Sequence, residues 1–425
     1  APAGWRGRGG GPERPRVSVW QFCIHTSTAG EAVTMIGRFL RGSYDVEFRG
    51  NSIAFQLCNN YSPSMCARGQ VASFLEQLFA QFQDEEIPYE SISQQFRATL
   101  LPEMLKADVW MCSIPAVWCR LLADAVVAAQ AEGQPPRPIF AYLGLPILQY
   151  VKAKDRLDFL HAFSDIVTNE RNIVVANNPY LAEEVLWQTG HRVPTLRIHG
   201  LHTDATYFPV RAAEVLVSRP GTSGGWQECV LNRFLDANPS VPLRFVQFTD
   251  LLDPHTTSEV YNSSISYTEL AQYRAVVSFP YDTSLMFFWE FYSMCVPIFV
   301  PFQLWHWGIF GQHTRPDLEQ PTVDGGATER PPYSPFFSGF RPLDVESALY
   351  WSKFTDWAMY PHVQYFRTIA ELLSQLVEVD LQAVSAAMKR FNEESIVQTV
   401  ATWRYVVERW FDVETLGPAY PSSEK

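Results

Sequence analysis

The chain has no apolar run near the roughly 18 residues that a membrane-spanning helix needs, and its first residues do not read as a signal peptide. It is short of charge. Only 18% of its 425 residues are charged against 47% apolar, too apolar a balance for a chain disordered throughout. Basic residues are the scarcer sign, with Lys+Arg at 33 against Asp+Glu at 45 and a net charge of −12. That balance excludes a general nucleic-acid binder, so no nucleic-acid partner is expected. The seven cysteines form no CxxC pair and no His/Cys ligand cluster, and no Asp-x-Asp metal motif is evident. No metal site and no cofactor are expected. An odd cysteine count in mostly apolar settings predicts buried thiols, with a Cys58–Cys66 bridge left open.

Aromatic residues are plentiful: 13 Trp, 18 Tyr and 29 Phe make 14% of the chain. Such a load suits either a large core or a site that stacks flat ligands. The length exceeds what one ordinary core serves, so two domains are expected. Residues 1–15 are Gly/Arg/Pro-rich and read as a disordered lead-in. They fit a stem that once followed a membrane tether, and equally a cytosolic terminus. Sequons at Asn60-Tyr61-Ser62 and Asn262-Ser263-Ser264 lean towards the secretory pathway and a Golgi lumen, with the cytoplasm as the alternative.

Strand-like and helix-like segments alternate along most of the chain. Strands are expected at 17–24, 53–57, 107–113, 138–143 and 172–176, with helices up to about Arg41, at 70–82, 117–131 and 179–189. A polar loop, His25 to Gly30, follows the first strand. After a lapse near 198–210 the pattern restarts, with strands at 214–217, 243–248, 275–279 and 296–300. Helices are expected between them at 226–235, 267–273 and 284–294. This alternation predicts an α/β fold of two Rossmann-like domains with parallel sheets facing a central cleft, and a helical C-terminal tail. The expected boundaries are 16–205 for the N-terminal domain and 206–365 for the C-terminal domain. Residues 366–425 are expected to be helices partly crossing back to the N-terminal domain. The polar Pro/Gly stretch 312–335 reads as a mobile loop. The tail shows helical patterns at about 344–358, 366–378, 380–392 and 395–411.

The segment from Tyr267 to Pro301 carries the chemistry. A buried strand delivers the chain to Pro280. Asp282 and Thr283 can then cap the following helix, aiming the amides of Ser284, Leu285 and Met286 at the carboxyl edge of the sheet. A helix start there suits an anion. Glu290 lies eight residues after Asp282, two turns on and on the same side. A carboxylate among Phe287, Phe288, Trp289, Phe291 and Tyr292 is costly to bury without a partner. That partner is either a ligand or a base such as Arg274.

These residues resemble the GT-B fold glycosyltransferases, chiefly the retaining nucleotide-sugar enzymes of the family 4 (group 1) type. The resemblance rests on Asp282 and Glu290 eight apart and on Cys295-Val296-Pro297. It rests also on the stretch Asn172 to Glu184, on the hinge-like stretch Ile198 to Pro209, and on Val217-Ser-Arg-Pro220. It covers roughly residues 170–301. It implies transfer of a sugar from a nucleoside-diphosphate sugar to a carbohydrate or glycoconjugate acceptor, without a metal. Glu290 is then expected to hold ribose hydroxyls and Asp282 to lie beside the donor sugar. Arg219, with Thr283 and the amides of Ser284, Leu285 and Met286, is expected to face the diphosphate. Gly30 is expected to let the first loop approach the phosphates. Three departures stand out: Asp282 replaces Glu, Cys295 replaces Gly, and Gly224 stands where a Lys is usual.

His25 sits where inverting relatives carry a general base, so inversion remains an alternative. An epimerase and a non-catalytic binding module of the same fold are two more. Each residue also has a plainer reading: a helix cap for Asp282, a surface ion pair for Arg219, a loop histidine for His25. For His199, His202 and the Trp305-His306-Trp307 cluster, packing is the plainer reading.

Overall fold

The structure is a computed structural model that describes residues 15–23, 25–50, 70–218, 227–247, 251, 266–280, 285–302, 322–327, 329–337 and 345–411. The strand expected at 53–57, Cys58, Cys66, both sequon asparagines and the Trp305-His306-Trp307 cluster lie outside these residues.

Five strands build the N-terminal sheet: β1 (Arg16–Phe22), β2 (Asp45–Arg49), β3 (Val109–Cys112), β4 (Ile139–Leu143) and β5 (Ile173–Ala176). All pair in parallel, in the order β2-β1-β3-β4-β5. The helices connecting them are α1 (Thr26–Met35, running on as a π-helical turn to Leu40), α2 (Gln70–Gln83), α3 (Tyr89–Met104), α4 (Val117–Ala131), α5 (Arg156–Thr168) and α6 (Pro179–Thr189). Side chains alternate across the strands as the pleat requires. Val109 and Met111 face one layer while Trp110 and Cys112 face the other, and Phe140 and Tyr142 are likewise opposed to Ile139, Ala141 and Leu143. Both faces are apolar because helices cover both, the usual condition of a parallel sheet.

The second sheet comprises β6 (Arg211–Ser218), β7 (Arg244–Gln247), β8 (Tyr273–Ser278), β9 (Ile298–Pro301) and β10 (Gln364–Phe366). It too is parallel, in the order β10-β9-β8-β6-β7. Counted within its own domain, this is the same order as the first sheet. Its helices are α7 (Arg233–Ala237, after a π-helical turn Gln227–Asn232), α8 (Tyr267–Leu270), α9 (Met286–Ser293), α10 (Val345–Ser352), α11 (Asp356–Met359) and α12 (Ile369–Glu378). The chain closes with α13 (Leu381–Phe411). The fold is therefore α/β, with two Rossmann-like domains in the GT-B manner and a helical C-terminal tail.

Several expectations are corrected. The residues about 366, read as helical, open with strand β10, and α12 starts at Ile369. The two helices expected at 380–392 and 395–411 are one helix of 31 residues. The edge strand β2 and the helices α3 and α5 are additional to those expected. Two of the expected buried thiols, Cys112 and Cys119, form a disulfide between the end of β3 and the start of α4. Gly30 lies in the second turn of α1 and is buried there, because the helix starts at Thr26, inside the stretch read as a loop.

The domains share apolar contacts. One continuous cluster includes Val109, Met111, Phe140 and Tyr142 of the first sheet and Leu216, Val276, Ile298 and Val300 of the second. Helix α13 joins this cluster to both sides. Phe391 meets Tyr292 of the C-terminal domain, while Trp403 and Trp410 stand edge-on to Phe140 of the N-terminal sheet. Tyr180 donates to the Pro335 carbonyl, and the Val323 amide donates to the Gln188 carbonyl, so these parts of the 312–335 stretch rest against α6.

Candidate functional site

In a doubly wound sheet the ligand crevice opens beyond the carboxyl ends of the strands where strand order reverses. Here that point lies between β1 and β3 in the first domain and between β6 and β8 in the second. The chain leaves β1 into His25, Thr26 and Ser27. It leaves β6 into Arg219 and β8 into the stretch ahead of α9. Arg219, Asp282, Thr283 and Ser284 lie outside the described residues.

The two reversal points meet through one carboxylate. Glu290 projects from α9 and is 9% exposed. Its Oε1 accepts from Ser27 Oγ at 2.6 Å, from the Tyr267 hydroxyl at 2.9 Å, and lies 3.2 Å from His202 Nε2. Ser27 belongs to the first turn of α1, Tyr267 to α8, and His202 to a short 3-10 turn, Leu201–Thr203, between the domains. Burial pushes the Glu290 carboxyl up, but the His202 bond and charge, the Ser27 bond and the His25 charge outweigh it. The carboxyl is held below its usual value, so it stays ionised. Arg274, the base considered as its partner, instead donates to the carbonyls of Leu376 and Ala212.

His25 is the N-cap of α1, with its Nδ1 accepting from the Ser27 amide at 3.3 Å. Helix α9 begins later than the sequence implied. Its N-cap is Leu285, whose side chain makes no capping bond, and Met286 is the first helical residue. The helix therefore starts two residues after the expected 284, and Asp282 and Thr283, read as its caps, lie outside the described residues. Phe288 already donates to the Leu285 carbonyl. At its other end Cys295 holds φ +60°. That left-handed conformation favours glycine, so a cysteine there is strained. Asn392 of α13 lies against it, donating to the Tyr292 carbonyl at 3.0 Å.

A second buried carboxylate was missed in the sequence. Glu31, in α1, accepts from the amides of His199 at 2.8 Å and Gly200 at 2.9 Å. Gly200, with φ +60°, lies so close to α9 that a Cβ would stand 3.1 Å from the Trp289 carbonyl oxygen. Its own carbonyl accepts from Ser293. The segment between the domains is thus clamped by α1 on one side and α9 on the other. His199 itself bonds Thr399 of α13 through Nε2 at 2.9 Å. Glu31 sits beside Ala29, Ala32 and Val33, and an acid in so apolar a helix was the available signal. Ser27 and Tyr267 gave none, being ordinary hydroxyls far from Glu290 in sequence.

No family model and no curated protein matches the chain. Among solved structures it is similar to the lipopolysaccharide outer core galactosyltransferase WaaB in its apo form, at 10% identity and a TM-score of 0.33, over 90% of this chain and 99% of that one. It is similar also to an ABC domain in complex with L-Trp from Streptococcus pneumonia, at 12% identity and a TM-score of 0.20, over 85% and 95% of the two chains. Likenesses so distant carry no argument, and the strand order and the site bear the reading.

Proposed function

We propose that the chain is a glycosyltransferase that moves a sugar from a nucleoside-diphosphate donor to a hydroxyl of a carbohydrate or glycoconjugate acceptor. The reaction retains the anomeric configuration and needs no bound metal. The observation that carries this reading is the ionised, buried Glu290. It comes from the second sheet's reversal point and bonds Ser27 at the first sheet's reversal point. Such a carboxylate is suited to paired hydroxyls such as those of a ribose. Asp282 would place the donor sugar. Arg219, with Thr283 and the amides of Ser284, Leu285 and Met286, would offset charge building on the leaving diphosphate.

His25 already serves as the N-cap of α1, its Nδ1 accepting from the Ser27 amide, which supports retention over inversion. The disulfide Cys112–Cys119 supports a secretory lumen over the cytoplasm.

A panel of nucleotide sugars tests the reading by thermal shift and by release of nucleoside diphosphate, with and without chelator. One donor should bind and turn over in both conditions. Glu290→Gln should lower turnover about 10- to 100-fold, the scale of a lost bond to a charged group. Product anomers read by NMR decide between retention and inversion. Turnover without an acceptor would point to an epimerase, and binding without any turnover to a non-catalytic module. If no nucleotide binds, or Glu290→Gln is fully active, the assignment fails.

A further inference from the structure

Three donors crowd one oxygen. Oε1 of Glu290 meets Ser27 Oγ at 2.6 Å, the Tyr267 hydroxyl at 2.9 Å and His202 Nε2 at 3.2 Å. A carboxylate has about two lone-pair sites on each oxygen, so a further hydroxyl can join Oε1 only by displacing one of these. Ser27 differs from the other two. Tyr267 precedes β8 within the domain that carries Glu290, and His202 belongs to the clamped segment between domains. Ser27 alone of the three reaches across from the N-terminal domain, on the first turn of α1, and it makes the shortest bond. It is 1% exposed, so its bond to Oε1 is shut off from solvent.

We propose that Ser27 is a positioning residue that stands in for a donor hydroxyl. Its Oγ holds Glu290 oriented while the site is empty and yields Oε1 to a ribose hydroxyl when the donor binds. Tyr267 and His202 stay bonded throughout and fix the carboxylate's aim. No covalent bond changes, since one hydrogen bond to Oε1 is exchanged for another. The inference rests on the nucleotide-sugar reading, because it needs a ribose at Glu290.

Competition makes a signed prediction that mere structural support does not. Binding of the nucleoside diphosphate identified by the panel is measured by calorimetry on the full chain. Ser27→Ala removes the competitor and should tighten binding about 3- to 10-fold, a part of what a bond to a charged group is worth. Ser27→Thr restores the hydroxyl and should return affinity to the parent value. Tyr267→Phe removes a permanent support and should weaken binding by a similar factor. The tightening by Ser27→Ala should vanish for the 2′,3′-dideoxyribose analogue, which has nothing to place on Oε1. Weaker or unchanged binding in Ser27→Ala overturns the inference while leaving the transferase reading intact, and so does a tightening that persists with the dideoxy analogue. Failure of the parent chain to bind any nucleoside diphosphate overturns both. Should Ser27→Ala not fold, Ser27→Cys, whose thiol is a poor donor, takes its place with the same expected sign.

Discussion

Glu31 and Glu290 are both buried, yet their surroundings push them in opposite directions. Glu290 collects an imidazole and two hydroxyls and remains ionised. Glu31 has two backbone amides, and burial outweighs them and the charges of His202 and Arg197. Its carboxyl is pushed up from 4.5 to about 7. Between those values the unfolded chain has released the proton and the folded chain keeps it. The stability from Glu31 is therefore full below pH 4.5 and is lost as pH rises through 7. Asp356 acts in the same direction. Burial raises it from 3.8 to about 8 against the pull of Trp289, Arg197 and Asn178. His199 acts oppositely. Burial, then Arg197, lowers it from 6.5 to about 3, so its contribution is complete above pH 6.5 and is lost as pH falls through 3. Of these three groups, the two carboxyls are the ones that still titrate above pH 6.5. The unfolding midpoint should fall by a few degrees between pH 6.5 and 8, and Glu31→Gln should make that fall shallower in the same melts. An unchanged slope in Glu31→Gln would put the titration elsewhere. Glu290 was legible in the sequence because an acid among five aromatics needs a reason. Its partner Ser27 was not, since it lies 263 residues away and only the meeting of two sheets brings it near.

Among the elements, the strands of the central sheets were the most legible, because a strand buried on both faces is a short apolar run bounded by turns. The misses have local causes. Tyr89–Met104 is rich in Ser, Gln and Glu and contains Pro102. Its deepest apolar residues, Ile92, Phe96, Leu100 and Met104, stand four apart among polar neighbours, with Tyr89 and Leu101 buried beside them. β10 is three residues long and becomes a strand only by pairing with β9. In α13 the polar stretch Asn392-Glu393-Glu394 looked like a break, yet Glu393 and Glu394 face solvent while Asn392 reaches Tyr292. The helix earns its length at its far end. Trp403 is 1% exposed, with Phe140 and Tyr142 edge-on at 5.6 and 5.7 Å. Trp403→Ala should lower unfolding free energy by about 3–5 kcal/mol, read as a lower urea midpoint. Val397→Ala, at a side chain 69% exposed, should stay within about 0.5 kcal/mol. Equal losses at the two positions would mean that α13 does not depend on this packing.

For the whole molecule, two sheets of identical strand order enclose apolar layers, and one of those layers runs through both. Two domains of this size usually melt as separate units. The continuous cluster from Phe140 to Val300 predicts a single calorimetric transition whose van't Hoff and calorimetric enthalpies agree. Two resolved peaks would show that the shared layer is too weak to couple them. The opening contrast between charge and aromatics also resolves at this scale. Much of the aromatic load is core, including Trp110, Trp118, Trp289, Trp351 and Trp403, all under 2% exposed. On the proposed function, a chain of net charge −12 must hold an anionic donor with amides and a few cations.

The chain passes between the domains twice, once through the segment held at His199 and Gly200 and once along α13. A single crossing would let one half swivel freely about the other, as on a ball joint. Two crossings, one of them a helix about 46 Å long, make a door on two hinge pins. Twisting and sliding of one half on the other are then resisted. Two halves held in one register meet the condition that a contact as short as Ser27 to Glu290 sets.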